Sequence, residues 1–332
     1  MPDLDRAARA RAFLDTTDWR AAEVRPLAGD ASNRKYQRLH LGDRSAVLMD
    51  AAPELGEDVR PFVAVAQWLA TLGLSSPRIL AEDMGQGFLL IEDLGDDLYA
   101  RVVARDAALE PPLYEAAVDV LLRLHDAPSI AGLTAYDPKV MTPLAALSYD
   151  WYLGESQGAD PARREAFCAE IEPVLAEFTE CSVTILRDYH AENLLWLPDR
   201  DGAARVGLLD FQDAMTGDPA YDLVSLLMDA RRDVSPEVED AMIGHYAQAG
   251  GMDRAAFETR YHVAGAQRNL RILGVFARLS RRDGKRHYVD LIPRVWGHLM
   301  RNLDHPALAG VAAKVKTDLP PPDDAVLERL RR

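Results

Sequence analysis

Apolar residues recur with two different periods along this chain, and the switch between them divides it. The opening stretch reads as a short surface helix. From Ala21 the pattern shortens: AAEVRPLAGD, KYQRLHLG and RSAVLMDA alternate apolar and polar residues as half-buried strands do, with Gly-Asp turns between them. Helical spacing follows from about Gly56, where Val59, Phe62, Val63, Ala66, Leu69 and Leu72 share one face. Two more short strands, RILAED and GFLLIEDL, are joined across Gly85-Gln86-Gly87. After Leu94-Gly95-Asp96-Asp97 the pattern is mostly helical, with one exception between about Val183 and Phe211. The expected organisation is a small antiparallel-sheet lobe with one helix, residues 1–95, followed by a larger helical lobe, residues 96–332. The class is α+β. Leu319-Pro320-Pro321-Pro322 predicts a stop before a short, loosely held C-terminal helix.

The exceptional segment carries the chemistry. Thr184-Ile185-Leu186 runs into the polar loop Arg187-Asp188-Tyr189-His190-Ala191-Glu192-Asn193 and returns to the apolar Leu194-Leu195-Trp196. Val206-Gly207-Leu208-Leu209 then ends in Asp210. Two strands thus deliver Asp188, Asn193 and Asp210 to one edge. Phosphoryl transfer asks for such a trio: a carboxylate that orients the attacking hydroxyl and accepts its proton, and oxygen ligands for magnesium. Each residue has a plain alternative, a turn or cap for Asp188, a left-handed turn for Asn193 and a strand-end acid for Asp210. Their order and the flanking strands make the signal specific. Asp213 reads as a second metal-shell group or a helix cap. Asp218 and Asp222 read as braces of the loop, with Pro219 in the first turn of the next helix and Asp218 as its cap.

Arg187-Asp188 with Asn193 resembles the eukaryotic-type kinase catalytic loop, and Asp210-Phe211 resembles its magnesium-binding triplet. The short spacing between them, with Gly217-Asp218-Pro219 and Asp222-Leu223, is similar to the aminoglycoside phosphotransferase family, which also includes choline, homoserine and sugar kinases. The resemblance spans nearly the whole chain. It implies a bilobal protein-kinase-like fold that uses ATP and Mg2+, with Asp188 as catalytic base and Asn193 and Asp210 as magnesium ligands. It also implies that backbone groups of Glu92 and Leu94 bind adenine. Ser32, Asn33 and Arg34 then lie in the loop over the ATP phosphates, although Gly29 is the single glycine there. His190 orients the loop or touches substrate.

The third strand departs from the family. Met49 or Asp50 stands where these kinases carry a phosphate-binding Lys, and no Lys occurs between Lys35 and Lys139. Either Arg34 or Arg38 supplies the charge, or the chain is a nucleotide-binding pseudokinase without turnover. GDASNRKYQRL, AVLMDA and LRDYHAENLLWL together are most similar to the cell-wall-recycling sugar kinases, which phosphorylate N-acetylmuramate and N-acetylglucosamine at the anomeric hydroxyl. The alternative acceptor is an aminoglycoside or another small alcohol, which the basic end, Leu327 to Arg332, disfavours. Candidate sugar contacts are Asp150 and Trp151, beside Tyr152 and Glu155, and a polar stripe of Gln267, Arg268, Asn269 and Arg271. Arg268 and Arg271 are three apart on one helix face and suit a lactyl carboxylate. Core packing for the aromatics and solvation or ion pairing for the arginines are the plain alternatives.

Composition narrows the class further. There are 38 Lys and Arg against 53 Asp and Glu, a net charge of −15, which argues against a nucleic-acid partner. Two cysteines, Cys168 and Cys181, make neither a disulfide framework nor a four-ligand zinc site and read as ordinary thiols. The charged opening lacks the apolar stretch of a secretory signal, and no apolar run approaches a membrane span. The expectation is a cytoplasmic monomer acting on a small molecule, an amino sugar, with no membrane partner. If Asp188 is the base, Asp188→Asn retains nucleotide binding and loses nearly all turnover; an undiminished rate in a steady-state assay would remove it from that role.

Overall fold

The structure, a computed structural model, describes residues 2–27 and 33–332. Ser32 therefore lies outside the described residues. In chain order the elements are α1 (Pro2–Asp15), β1 (Glu23–Pro26), β2 (Lys35–Leu41), β3 (Arg44–Asp50), α2 (Arg60–Thr71), β4 (Ile79–Asp83), β5 (Phe88–Glu92), α3 (Tyr99–Arg105), α4 (Glu110–Asp126), α5 (Pro138–Ala145), α6 (Gly154–Gln157) and α7 (Pro161–Phe178). After these come β6 (Val183–Ile185), β7 (Leu194–Trp196), β8 (Val206–Leu208), β9 (Met215–Gly217), α8 (Ala220–Leu227), α9 (Pro236–Ala249), α10 (Arg254–Arg281), α11 (Ile292–Leu303), α12 (Ala309–Asp318) and α13 (Asp324–Arg331). Contacts divide the chain into two units, Met1–Val102 with Glu192–Asp213, and Val103–Ala191 with Ala214–Arg332.

The first unit is built on a five-stranded antiparallel sheet in the order β1-β2-β3-β5-β4. The turn between β2 and β3 is the two-residue Gly42-Asp43, with Gly42 at φ 61°, the conformation that tight hairpins need and glycine adopts without strain. Period-two alternation assigns the two faces of the sheet. Leu39, Ala46, Leu48, Phe88 and Leu90 face α1 and form a core with Ala10, Phe13 and Leu14. Asp50 shares that face. Its carboxylate takes Arg6 Nε at 2.9 Å and Nη2 at 2.7 Å, and the Arg6 guanidinium also lies 3.9 Å over the Phe88 ring. Val47 and Met49 point the other way, and Met49 is buried.

Helix α2 begins at Arg60 rather than at Gly56. Gly56, at φ 83°, ends a short 3-10 turn over Pro53–Leu55, and Glu57 and Asp58 lead into the helix. The antiparallel β7–β8 hairpin groups with this unit, far from the residue-95 boundary expected from the sequence. The reason is hydrogen bonding: Leu208 N–H donates to the Ser75 carbonyl at 2.8 Å, and Trp196 N–H donates to the Asp97 carbonyl at 2.8 Å.

In the second unit, helices pack around the 28-residue α10. Gly274 of α10 passes so close to the backbone of Leu147 that a Cβ there would stand 2.2 Å from the Leu147 carbonyl carbon. The strand β9 was not legible in the sequence, because Met215-Thr216-Gly217 shows no alternation; it forms by pairing with β6. The C-terminal helix is also a correction. It is not loosely held: Val326, Leu327 and Leu330 are buried, Ser280 donates to the Leu330 carbonyl at 2.7 Å, and Tyr152 donates to the Pro320 carbonyl at 2.8 Å. Among the described residues no helix is long and apolar enough to cross a membrane. Leu330→Ala should cost about 2–5 kcal/mol in urea unfolding, the range for a fully buried leucine; a loss within ~0.5 kcal/mol would mean that α13 does not belong to the core.

Candidate active site

Strand β6 ends at Ile185, and the backbone then turns sharply at Arg187. Asp188 N–H donates back to the Leu186 carbonyl at 2.9 Å, closing a three-residue turn in which Arg187 has φ 72°. An arginine rarely adopts that conformation, and its surroundings hold it there. The buried carboxylate of Asp222, on α8, accepts Leu186 N–H at 2.6 Å and Arg187 N–H at 2.8 Å. The Arg187 carbonyl accepts Ser225 Oγ–H at 3.1 Å and Arg268 Nη1–H at 3.2 Å. Three hydrogen bonds thus fix the residue immediately before Asp188, and a fourth fixes Leu186.

Asp188 is half-buried among cations. Burial works to raise its pKa, but Arg268, Arg271, His190 and Arg187 outweigh it, and the carboxyl is held below its ordinary value. Asp188 is therefore a carboxylate at neutral pH. Burial pushes the Asp222 carboxyl up to about 6, against the two N–H groups it accepts. The arginines have a second partner in Tyr221, whose hydroxyl accepts Arg271 Nη1–H at 3.0 Å and Arg268 Nη1–H at 3.4 Å. Tyr136 lies 3.3 Å from the Tyr221 hydroxyl and donates to Gln267 Oε1 at 3.3 Å. Burial alone would raise the Tyr221 phenol; the three arginines bring it below its usual value. Buried His190 contacts Arg231 Nη1 through Nε2 at 3.3 Å, and burial lowers its pKa to about 4, so the imidazole is neutral.

Five residues after Asp188, Asn193 stands at the start of β7. Leu209 N–H donates to the Asn193 carbonyl at 2.9 Å, which sets Asn193 beside the end of β8 and hence near Asp210. Asp210 has φ 55°, a left-handed conformation that Asp tolerates, and its Oδ1 accepts Gln212 Nε2–H at 2.8 Å. The next residue, Phe211, is buried and stacks on Phe62 of α2 with ring centroids 4.8 Å apart. Among the described residues, Arg187 and Asp210 are the two non-glycine residues with positive φ. Backbone strain of this kind collects at functional sites.

Comparison with known proteins identifies the family. The model of the phosphotransferase enzyme family known as APH matches residues 23–257. The chain belongs to this family. It is 42% identical, over 93% of its own length and 95% of the other, to a protein of Caulobacter vibrioides named N-acetylmuramate/N-acetylglucosamine kinase. It is 38% identical to a protein of the same name from Pseudomonas aeruginosa, over 84% of this chain and 83% of that one. An ADP-bound structure of the aminoglycoside phosphotransferase APH(2'')-Ib shares the fold, with a TM-score of 0.63 at 14% identity, over 88% of this chain and 99% of that one. The expected sheet-bearing and helical parts are those of the family, and the chain is a phosphotransferase.

Within this phosphotransferase, the residues singled out in the sequence take different places. Asn33 donates to the Leu55 carbonyl at 3.4 Å, and Arg34 Nε–H to Glu57 Oε2 at 2.9 Å. Glu92 N–H is engaged by the Arg78 carbonyl at 2.8 Å, and its carboxylate pairs with Arg78 and Arg200. The Leu94 side chain lies against β8, where a Cβ on Gly207 would come within 3.2 Å of it. Arg268 and Arg271 act on Asp188 through their charge, and Asp150 and Trp151 lie on a π-type turn over Ser148–Leu153. Asp150 pairs with Arg164 at 2.7 Å, Trp151 packs on the helical core, and Glu155 pairs with Arg281 at 2.8 Å.

The stripe on α10 is not solvated: Gln267, Arg268 and Asn269 are buried, and Gln267 donates to the Met141 carbonyl at 2.9 Å. Asp222 braces the turn before Asp188, as the sequence suggests. Asp218 does not. It accepts Ala220 N–H at 2.9 Å at the start of α8, as a cap would, and otherwise holds Glu180 N–H and Arg260. Tyr221 and Tyr136 were missed; the adjacency of Tyr221 to the bracing Asp222 was the one available signal. Both cysteines are free thiols, pushed up by burial.

Asp222→Asn leaves one of the two N–H groups without its acceptor, at a cost of about 1–3 kcal/mol. The pH dependence has a definite sign. A carboxyl whose folded pKa is raised to about 6 stabilises the fold most below its unfolded value of 3.8, and that contribution is lost as pH rises to about 6. The stability gap between wild type and Asp222→Asn should therefore shrink between pH 4 and 6 in denaturant titrations; a gap independent of pH would contradict the buried, elevated carboxyl.

Proposed function

We propose that this phosphotransferase transfers the γ-phosphate of ATP to the anomeric hydroxyl of N-acetylmuramate or N-acetylglucosamine, in the cytoplasm, as a step of cell-wall sugar recycling. The reaction class is carried by the Asp188 turn: a carboxylate kept ionised by arginines and aimed by a strained residue that Asp222 pins. Asp188 orients the acceptor hydroxyl and takes its proton. The acceptor is supported by the names of the relatives from Caulobacter vibrioides and Pseudomonas aeruginosa, whose likeness runs along most of the chain.

Asn193 and Asp210 hold magnesium in this reading. Their chemistry fits: one carboxylate and one amide oxygen on neighbouring strand ends suit a hard cation that completes its shell with phosphate oxygens and water. The ion, when bound, neutralises charge on the transferring phosphates. Asn33 and Arg34 face the phosphates, and Glu92 and Leu94 the adenine; the Glu92 N–H is already engaged by the Arg78 carbonyl. His190 supports the loop beside Asp188. Arg268 and Arg271, already bound to Tyr221, serve the acceptor through Asp188.

The test is ADP release from Mg-ATP with N-acetylmuramate, N-acetylglucosamine, kanamycin-type aminoglycosides, choline and homoserine offered in turn. Turnover with the N-acetyl sugars alone, giving an acid-labile anomeric phosphate, is the expected result. Turnover with an aminoglycoside, or ATP binding with no turnover on any of them, would overturn the acceptor.

A further inference from the structure

Phosphoryl transfer needs a cation against the nucleotide's phosphates, and the Met49-Asp50 end of the third strand has none to offer; Arg44, at the other end, stands over the Trp19 ring at 5.3 Å. The sheet shows why neither residue at that place can serve. Asp50 is turned toward α1 and occupied by Arg6, and Met49, on the opposite face, is buried and uncharged. A substitute has to come from the face that Met49 shares.

Strand register identifies the neighbours. Tyr36 of β2 stands directly across from Met49, and Arg38 across from Val47, so the even-numbered residues of β2 line that face and Lys35 points away from it. Two arginines compete for the role. Arg38 is held by two carboxylates at once, Nε against Asp93 at 2.9 Å and Nη1 against Asp96 at 2.7 Å, so its charge is more than balanced where it stands. Arg34 pairs with Glu57 at 2.9 Å, both side chains being largely shielded from solvent at 12% and 15% exposure. It also shares a hydrogen bond with the Tyr36 phenol, and that phenol in turn feels the charge of Asp210. The guanidinium therefore lies in the neighbourhood of the metal-binding acid, inside the same unit. It carries five N–H donors in a planar fork, enough to serve these partners and a phosphate oxygen together.

We infer that Arg34 is the phosphate-binding cation of this enzyme in place of the absent third-strand lysine, and that Glu57, just ahead of α2, is the residue that positions it. The inference rests on the kinase reading above, but not on the identity of the acceptor. The charge has moved one strand over, and its acidic partner has moved from the helix to the segment that precedes it.

Calorimetric titration with Mg-ATP and with adenosine separates a phosphate contact from a structural one. Arg34→Ala should weaken Mg-ATP about 10- to 100-fold, the span of a charge-assisted hydrogen bond, and leave adenosine within about twofold. Arg34→Lys should recover part of the loss, because it restores charge without the fork. Glu57→Gln should weaken Mg-ATP less than Arg34→Ala does, again sparing adenosine. Unchanged Mg-ATP affinity in Arg34→Ala would overturn the inference. So would an equal loss for adenosine and Mg-ATP with a lowered melting temperature. Wild-type protein that binds Mg-ATP through Arg34 yet phosphorylates no N-acetyl sugar would overturn the acceptor and uphold this role.

Discussion

Two consecutive backbone N–H groups, on Leu186 and Arg187, converge on the one buried carboxylate of Asp222, and the turn before Asp188 depends on that convergence. A strand that ends under a helix leaves its last N–H groups in need of an acceptor, and a buried orphan costs about as much as a lost hydrogen bond. Asp222 supplies both acceptors from one side chain. In doing so it fixes Arg187 at positive φ, a conformation that costs about 1–3 kcal/mol. Hydrogen bonds to a charged acceptor contribute about 1.5–3 kcal/mol each, so the pair outweighs the strain. The direction in which Asp188 leaves the strand follows from this balance. It explains why an otherwise inert acid lies so deep in the helical unit.

The charges around Asp188 obey a second constraint. Guanidinium groups brought into a protein interior need partners. Arg268 and Arg271 find theirs in the Tyr221 hydroxyl, the Arg187 carbonyl and the field of Asp188 itself. The tyrosine pair and Gln267 extend this network to the Met141 carbonyl. Its electrostatic result is a carboxylate that stays ionised beside a neutral histidine. The proposed role of Asp188 as base needs this protonation state and a fixed direction, and the surrounding residues supply both.

In the sheet-bearing unit, pleating governs what each position can do. Neighbouring residues on β3 face opposite ways, so Asp50 serves the contact with α1 while Met49 joins the other face. A lost cation on such a face can be replaced from the adjacent strand, because directly opposed residues stand about 5 Å apart. Arg34, just ahead of β2, reaches Tyr36, the residue opposed to Met49, through a hydrogen bond to its phenol.

Alternation and spacing in the sequence alone were enough for the α+β class, the strands of the first sheet and the helical remainder, and they singled out Asp188, Asn193 and Asp210 as candidates. Those features are local, since a period of two or a loop between two apolar runs is written in neighbouring residues. The same holds for Asp222, whose helix begins close after the loop it braces. Partnerships between distant segments were not legible. Strand β9 exists because β6 pairs with it, the last helix is held by Ser280 and the core of its unit, and the stripe on α10 is buried by elements remote in sequence. The faces of Met49 and Asp50, and the carboxylates that Arg34 and Arg38 reach, were likewise decided by register and packing. Sequence determined which groups were present, and tertiary structure decided which charges met, because burial and opposing charge act through space and not along the chain.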